Sequence, residues 1–387
     1  MTNLLIKCDK IILPSGLWDG YVLCSDGKIA SLSKTRPDSD GIFLDATGSY
    51  VSPGFIDIHT HGAGGADFMD GADGFVTVAE THLKHGTTTL LPTSAACSAG
   101  DMLKFVENFK KAKTKTRAYL HGVHLEGPYC SAAQAGALDT SMLKPPDAAE
   151  YKNIVERADG AIVRWSIAPE LDGALEMGDY LDANGIIPSI AHSDAIYAEV
   201  AAALDHHYSL ITHLYSATST ITRELGYRRP GVIECAYIFD DLDAEIIADG
   251  HHLPAELLRL VYKQKGPDRV ALITDSMRAA GMPEGKSVLG GLTDGRDIIV
   301  EGGVAKLPDR SAFAGSVATA DQLVRVMNKK AGVDIVNSVR MITRTPARIL
   351  GIQNKKGSIA VNMDCDLVVF DEDIKVSEVI AGGVMLR

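Results

Sequence analysis

Short apolar runs that end in polar or turn-forming residues recur along most of this chain, and helix-like stretches fill the gaps between them. Runs at 55–59, 87–92, 118–125, 162–168, 186–191, 209–213, 244–248 and 269–274 have the length and residue types of buried strands. Intervening segments such as Asp73-Gly-Phe-Val-Thr-Val-Ala-Glu-Thr-His-Leu-Lys and Tyr197-Ala-Glu-Val-Ala-Ala-Ala-Leu carry the texture of helices. Eight β/α units over roughly 290 residues predict a (β/α)8 TIM barrel. A doubly wound open sheet is the competing α/β architecture. The ends of the chain read differently. Leu4-Leu-Ile-Lys-Cys, Lys10-Ile-Ile-Leu, Tyr21-Val-Leu-Cys and Lys28-Ile-Ala-Ser-Leu are short strands between Gly and Pro turns. The same texture returns in Gly357-Ser-Ile-Ala, Asp366-Leu-Val-Val-Phe-Asp and Glu378-Val-Ile-Ala-Gly-Gly-Val-Met. The expectation is a small β-sandwich domain made from 1–52 and 355–387, beside a barrel domain over 53–354.

The polar residues that close the strands favour the barrel. His59 and His61 are two apart, so on a strand both imidazoles leave the same face. A bare H-x-H has a bland reading, a pair of core or surface histidines. Yet Glu126, His192, His213 and Asp275 hold equivalent places at the ends of four other predicted strands. In a barrel such residues converge on one rim however far apart they lie in sequence. Each alone could simply hydrogen-bond a loop. Four histidines, a glutamate and an aspartate in register with the strands instead suit one or two divalent metals with a proton carrier. Glu126 can bridge two cations with its two oxygens. Asp275 suits the transfer of a proton from an attacking water to a leaving nitrogen.

Composition narrows the class. The chain has 387 residues, 46% hydrophobic and 23% charged, which is ordinary for a globular protein with a sizeable core. A net charge of −12 argues against a general nucleic-acid binder but leaves room for a small anionic substrate. Cys8, Cys24, Cys97, Cys130, Cys235 and Cys365 form no C-x-x-C pair, so neither a zinc ribbon nor a disulfide framework is expected. The N-terminal residues lack the apolar core of a signal peptide, and no run approaches the roughly 18 apolar residues of a membrane helix. A cytoplasmic location with no membrane partner is the expectation.

Taken in order, Pro53-Gly-Phe-Ile-Asp-Ile-His-Thr-His-Gly, His124-Leu-Glu-Gly-Pro-Tyr, Ala191-His-Ser-Asp, Thr212-His-Leu-Tyr-Ser-Ala, Ala248-Asp-Gly-His-His and Thr274-Asp-Ser-Met resemble the amidohydrolase superfamily of metal-dependent hydrolases. Within it they resemble most of all the N-acetylglucosamine-6-phosphate deacetylase family. The tail Arg344-Thr-Pro-Ala-Arg-Ile-Leu-Gly and Lys356-Gly-Ser-Ile-Ala extends the likeness, which runs from about residue 5 to the C-terminus. The fourth strand offers no metal-bridging lysine, which fits this family, where a third-strand glutamate takes that part. The resemblance implies that Glu126, His192 and His213 bind the main metal and that His59 and His61 complete a second site. It makes Asp275 the general base and acid and His252 the group that polarises the acetyl carbonyl. Zinc is the first choice of ion, with iron, cobalt or manganese as alternatives. A homodimer is also implied.

The resemblance further places Ala137, Leu138, Ser216, Ala217, His252, Phe313, Ala314 and Gly315 around a sugar. Three features depart from the family pattern. Ser216 stands where the family usually has Asn, and Gly136-Ala137-Leu138 replaces Gly-Ala-His or Gly-Ala-Gln. The phosphate-binding Arg-Glu-Pro-Gly turn is lengthened to Thr222-Arg-Glu-Leu-Gly-Tyr-Arg-Arg-Pro-Gly, with Arg228 and then Arg223 as candidates for the phosphate. The expected reaction is deacetylation of N-acetylglucosamine 6-phosphate to glucosamine 6-phosphate and acetate. An amidohydrolase for another N-acyl amino sugar, an N-acyl amino acid or a cyclic amide is the alternative. A non-catalytic binding barrel fits poorly, because all six rim positions are intact.

Overall fold

The computed structural model describes residues 3–292 and 295–386. Among these, eight parallel strands form a nearly closed barrel: Phe55–Thr60, Thr87–Ser94, Val123–Glu126, Ile162–Ile167, Ile187–Ile190, Leu210–Ile211, Asp243–Ile247 and Val270–Ile273. Neighbours pair in parallel in chain order from the first strand to the eighth. The first and eighth meet where Asp275 N donates to the His59 carbonyl at 2.9 Å and Thr274 Oγ1 donates to Asp57. Every residue of the first and second strands is buried, as expected where helices cover one face and packed side chains fill the other. The helix Ala99–Ala112 shows how the outer layer is held. Ser98 caps it by accepting from Asp101 N, and Met102, Phe105, Val106 and Phe109 form a buried stripe at helical spacing.

All eight predicted runs coincide with barrel strands. The run at 118–125 is broken, however, into Tyr119–Leu120 and Val123–Glu126. Between them lies Gly122, where a Cβ would stand 2.3 Å from Val163 Cγ2, so the chain crosses too close to its neighbour for any side chain. Two additions were not anticipated. An antiparallel hairpin, Thr222–Glu224 with Tyr227–Arg229, follows the sixth strand. A three-stranded sheet, Gly285–Leu289, Arg296–Glu301 and Val304–Lys306, follows the eighth.

The terminal segments meet in one eight-stranded mixed sheet, in which Leu367–Phe370 pairs with Tyr50–Pro53. Met1, Thr2 and Arg387, the outermost residues of the expected terminal unit, lie outside the described residues. The sheet curls back on itself, since Cys365 N donates to the Gly27 carbonyl and Ile29 N to that of Met363, both at 2.8 Å. Alternation along Leu367–Phe370 joins two cores. Leu367 and Val369 enter the sheet's own cluster with Ile6, Val22 and Val51, while Val368 and Phe370 enter the barrel's outer core. The expected strands 4–8 and 10–13 are one strand, Leu4–Leu13, with an irregularity between Cys8 and Ile11. Gly357-Ser-Ile-Ala is not a strand, although Ile359 is buried in that core. Cys24 and Cys365, 341 positions apart, are joined as a disulfide. Sequence spacing carried no sign of that pair, because only the closure of the sheet brings them together.

Candidate active site

The strand ends deliver the six rim residues to one place. His59 is the last but one residue of the first strand, His61 follows that strand, and Glu126 is the last residue of the third. His192 and His213 lie two residues beyond the fifth and sixth strands, and Asp275 two beyond the eighth. Three of these, His192 (φ 44°), His213 (φ 33°) and Asp275 (φ 44°), have left-handed backbone. Such conformations cost of order 1–3 kcal/mol each for a non-glycine residue and cluster where geometry serves function. Gly62 is equally constrained, since a Cβ there would come within 2.6 Å of Ala66 O and Arg278 N.

Glu126 sits at the centre. Its Oε1 faces His213 Nε2 at 2.9 Å and His192 Nε2 at 3.3 Å, while its Oε2 faces His61 Nε2 at 3.2 Å and His59 Nε2 at 3.6 Å. Asp275 Oδ1 lies 3.2 Å from His61 Nε2 and 3.4 Å from His59 Nε2. The donor atoms thus fall into two groups able to hold a metal, Glu126–His192–His213 and His59–His61–Asp275.

The hydrogen bonds behind the rings fit that role. His192 Nδ1 lies 2.9 Å from the Gln134 carbonyl and His213 Nδ1 3.0 Å from that of Ser216. A carbonyl only accepts, so each Nδ1 carries the proton and each Nε2 turns a lone pair towards Glu126. Lone pairs converging on a carboxylate oxygen repel unless a cation or a proton lies among them. Zinc and other first-row divalent ions accept this nitrogen and oxygen set.

Without an ion, protons fill the gap. Burial would lower His59, but the Glu126 and Asp275 carboxylates outweigh it and raise the imidazole to about 9. Burial would raise Glu126, yet the surrounding histidines, His59 foremost, hold it well below the usual carboxylate range. The sign of the pH dependence follows. A histidine whose folded pKa exceeds its unfolded value of 6.5 adds stability that is full below pH 6.5 and is lost as pH rises through about 9. A bound divalent ion competes with the same proton, so metal-loaded protein gains stability over that window. Denaturation midpoints from about pH 6 to about pH 9.5, with and without a chelator, are expected to slope in opposite directions. Parallel slopes would contradict the ligand assignment.

The remaining expected residues lie around this centre or apart from it. His252, beyond the seventh strand, has Nδ1 2.7 Å from Asp249 Oδ2, and Asp249 Oδ1 accepts from the backbone of His251 and His252. Burial would lower His252, but the Asp249 carboxylate prevails and raises it, which favours a ring that donates from both nitrogens. Phe313 lies against it, with ring centroids 5.0 Å apart. Ala314 is buried, and Gly315 (φ +82°) precedes Ser316, whose N–H donates to the Asp275 carbonyl at 3.1 Å. The loop carrying Ala137 and Leu138 reaches His192 through Gln134, and Gly136 backs onto Ala217. Ser216 contributes its carbonyl to His213. Arg223 and Arg228 face each other across the exposed hairpin, with Arg228 Nη1 3.4 Å from the Gly226 carbonyl.

Sequence reasoning passed over Asp249, His124 and the buried pair Arg164–Glu245. Arg164, the one charge in Ile162–Ile167, and Glu245, set between apolar residues in Asp243–Ile247, were the available signal.

A barrel with a rim able to hold metal in this way defines a class, and comparison with known proteins places the chain in it. The model of the Amidohydrolase family matches residues 50–386, and the chain belongs to that family. The N-acetylglucosamine-6-phosphate deacetylase of Bacillus subtilis (strain 168) is 34% identical over 98% of this chain and 96% of its own. The N-acetylgalactosamine-6-phosphate deacetylase of Escherichia coli O157:H7 is 27% identical, covering 98% of both chains. Among solved structures, the N-acetyl-D-glucosamine-6-phosphate deacetylase of Mycobacterium smegmatis in complex with N-acetyl-D-glucosamine-6-phosphate aligns with a TM-score of 0.92. It is 29% identical and covers 100% of this chain and 99% of that one.

Proposed function

We propose that this protein hydrolyses the N-acetyl group of N-acetylglucosamine 6-phosphate, releasing glucosamine 6-phosphate and acetate. The observation that carries the reading is the central carboxylate. Glu126 turns one oxygen to His192 and His213 and the other to His59 and His61, with Asp275 on the far side of that second pair. Full-length similarity to deacetylases of two amino-sugar phosphates supports the substrate class.

Glu126, His192 and His213 would hold the main divalent ion, and His59 and His61 a second. When bound there, such an ion would supply Lewis-acid polarisation of the amide carbonyl and make a nearby water acidic enough to attack near neutral pH. Asp275 takes the proton from the attacking water and returns it to the amide nitrogen as the C–N bond breaks. His252, held by Asp249, donates a hydrogen bond to the carbonyl oxygen as negative charge grows there. Ala137, Leu138, Ser216, Ala217, Phe313, Ala314 and Gly315 line the sugar, and Arg228 or Arg223 meets the phosphate. Residues 53–354 form the catalytic unit, with 1–52 and 355–387 as the unit that braces it. Zinc is the preferred ion in this reading, before iron, cobalt or manganese. A homodimer in the cytoplasm completes it. The exposed Leu225 and Tyr227 on the hairpin, 93% and 78% accessible, support a covering partner. No described helix is long and apolar enough to cross a membrane. Sedimentation and cell fractionation test these two points.

Ser216 and Leu138 favour a second reading, in which another acylated amino sugar is preferred. Acetate release from phosphorylated and unphosphorylated N-acetylglucosamine separates the two. A charge-assisted phosphate contact is expected to raise kcat/KM by about 10- to 100-fold for the phosphorylated sugar. Equal rates would overturn the phosphate assignment.

A further inference from the structure

Beneath the rim, the barrel lumen holds a buried polar layer that the proposed reaction does not use. Arg164 on the fourth strand and Glu245 on the seventh are both fully buried and paired. All five guanidinium hydrogens have partners. Nε donates to Ser189 Oγ at 2.8 Å, Nη1 to the Ile58 carbonyl at 3.3 Å and to Glu245 Oε1, and Nη2 to Thr212 Oγ1 at 2.6 Å and Glu245 Oε2 at 2.9 Å. Glu245 Oε2 also lies 3.4 Å from His59 Nδ1 and accepts from the His213 backbone N–H at 3.4 Å. The ring of His59 is packed from the side by His124, edge-on at 4.8 Å between centroids. His124 is in turn fixed through Nδ1 to Thr93 Oγ1 and through Nε2 to Ser166 Oγ.

We infer that Glu245, locked by Arg164, is the positioning residue that sets the tautomer and orientation of His59 and thereby decides whether the His59–His61–Asp275 group takes up an ion. An ionised carboxylate only accepts, so the His59 nitrogen facing it must carry the proton. Nε2 is then the nitrogen turned towards His61, Asp275 and Glu126, where an ion can replace its proton. His192 and His213 are oriented by backbone carbonyls and do not depend on Glu245 for their tautomers. The two groups therefore have different partners behind their rings, and a change at Glu245 acts foremost on the second, touching the first only through the long His213 N–H contact of 3.4 Å. The guanidinium demands two acceptor oxygens from its partner. In Glu245→Gln one of the two oxygens becomes an NH2 that faces an Arg164 N–H in either amide orientation, so the lock is broken and, with the carboxylate charge gone, the proton is no longer held on His59 Nδ1.

The inference rests on the metal-hydrolase reading above, and metal uptake tests it apart from acetate release. Chelator-stripped wild type, Glu245→Gln and the double variant Arg164→Leu/Glu245→Leu are dialysed against graded Co2+. Bound metal is counted per chain and the visible Co2+ spectrum recorded, with circular dichroism as the check on folding. Wild type is expected to bind two ions. Both variants are expected to keep the first at wild-type affinity and to bind the second about 10- to 100-fold more weakly, the usual effect of losing a partner behind a ligand. The double variant keeps the test open if the single one does not fold. The inference is overturned if a folded variant binds both ions as wild type does, if it loses both, if wild type binds one ion, or if neither variant folds. Protein that binds two ions in the expected pattern but releases no acetate would overturn the substrate and leave Glu245 its role.

Discussion

Asp275→Asn is expected to lower kcat by about 10³-fold, within the range general acid–base groups supply, while the protein stays folded and keeps the ion on Glu126, His192 and His213. The substitution is close to isosteric, and Asn tolerates the left-handed backbone that Asp275 adopts at φ 44°. What it removes is the proton acceptor. Burial alone would raise the Asp275 carboxyl, but the charges of His59 and His61 hold it at about 2, so it is ionised at any working pH. An amide in its place can neither take the proton of an attacking water nor return it to the leaving nitrogen. Steady-state kinetics with metal analysis of the same sample checks the result. Retained activity would remove Asp275 from the mechanism. Loss of the main ion together with activity would make it a ligand first.

The largest effect on stability is expected at Arg164. Arg164→Met leaves the Glu245 carboxylate buried without its cation, and breaking such a pair typically costs about 3–5 kcal/mol. Arg164→Met/Glu245→Met removes both charges together and should recover most of that loss, because apolar groups of similar volume often replace a buried pair without penalty. Urea denaturation of the three proteins gives the comparison. A double variant no more stable than the single one would mean that the surrounding Ser189, Thr212 and Ile58 contacts, rather than the pairing itself, carry the stability.

The barrel was legible because its buried strands are short, mainly apolar or β-branched runs that stop at polar or turn-forming residues. That pattern survives without any knowledge of neighbours. His59, His61, Glu126, His192, His213 and Asp275 were legible for the same reason, since position at a strand end is a local property. Their pairing was not. That Glu126 splits its two oxygens between two pairs of histidines depends on left-handed backbone at 192 and 213, which no residue type announces. Arg164 and Glu245 lie 81 positions apart and meet across the lumen, so sequence offered two odd charges without a relation. The Cys24–Cys365 pair was hidden likewise, because only the curl of the terminal sheet brings its halves together. The hairpin at 222–229 was visible as extra length, yet its strands are short, polar and exposed and carry no period to read.

The central claim is that the rim holds metal and uses it to deacetylate an amino-sugar phosphate. Acetate release from N-acetylglucosamine 6-phosphate, measured on chelator-stripped protein and again after adding zinc, iron, cobalt or manganese, tests it most directly. The prediction is no release from stripped protein and restored turnover with at least one of these ions. Undiminished release after stripping, or none with any ion, would contradict it.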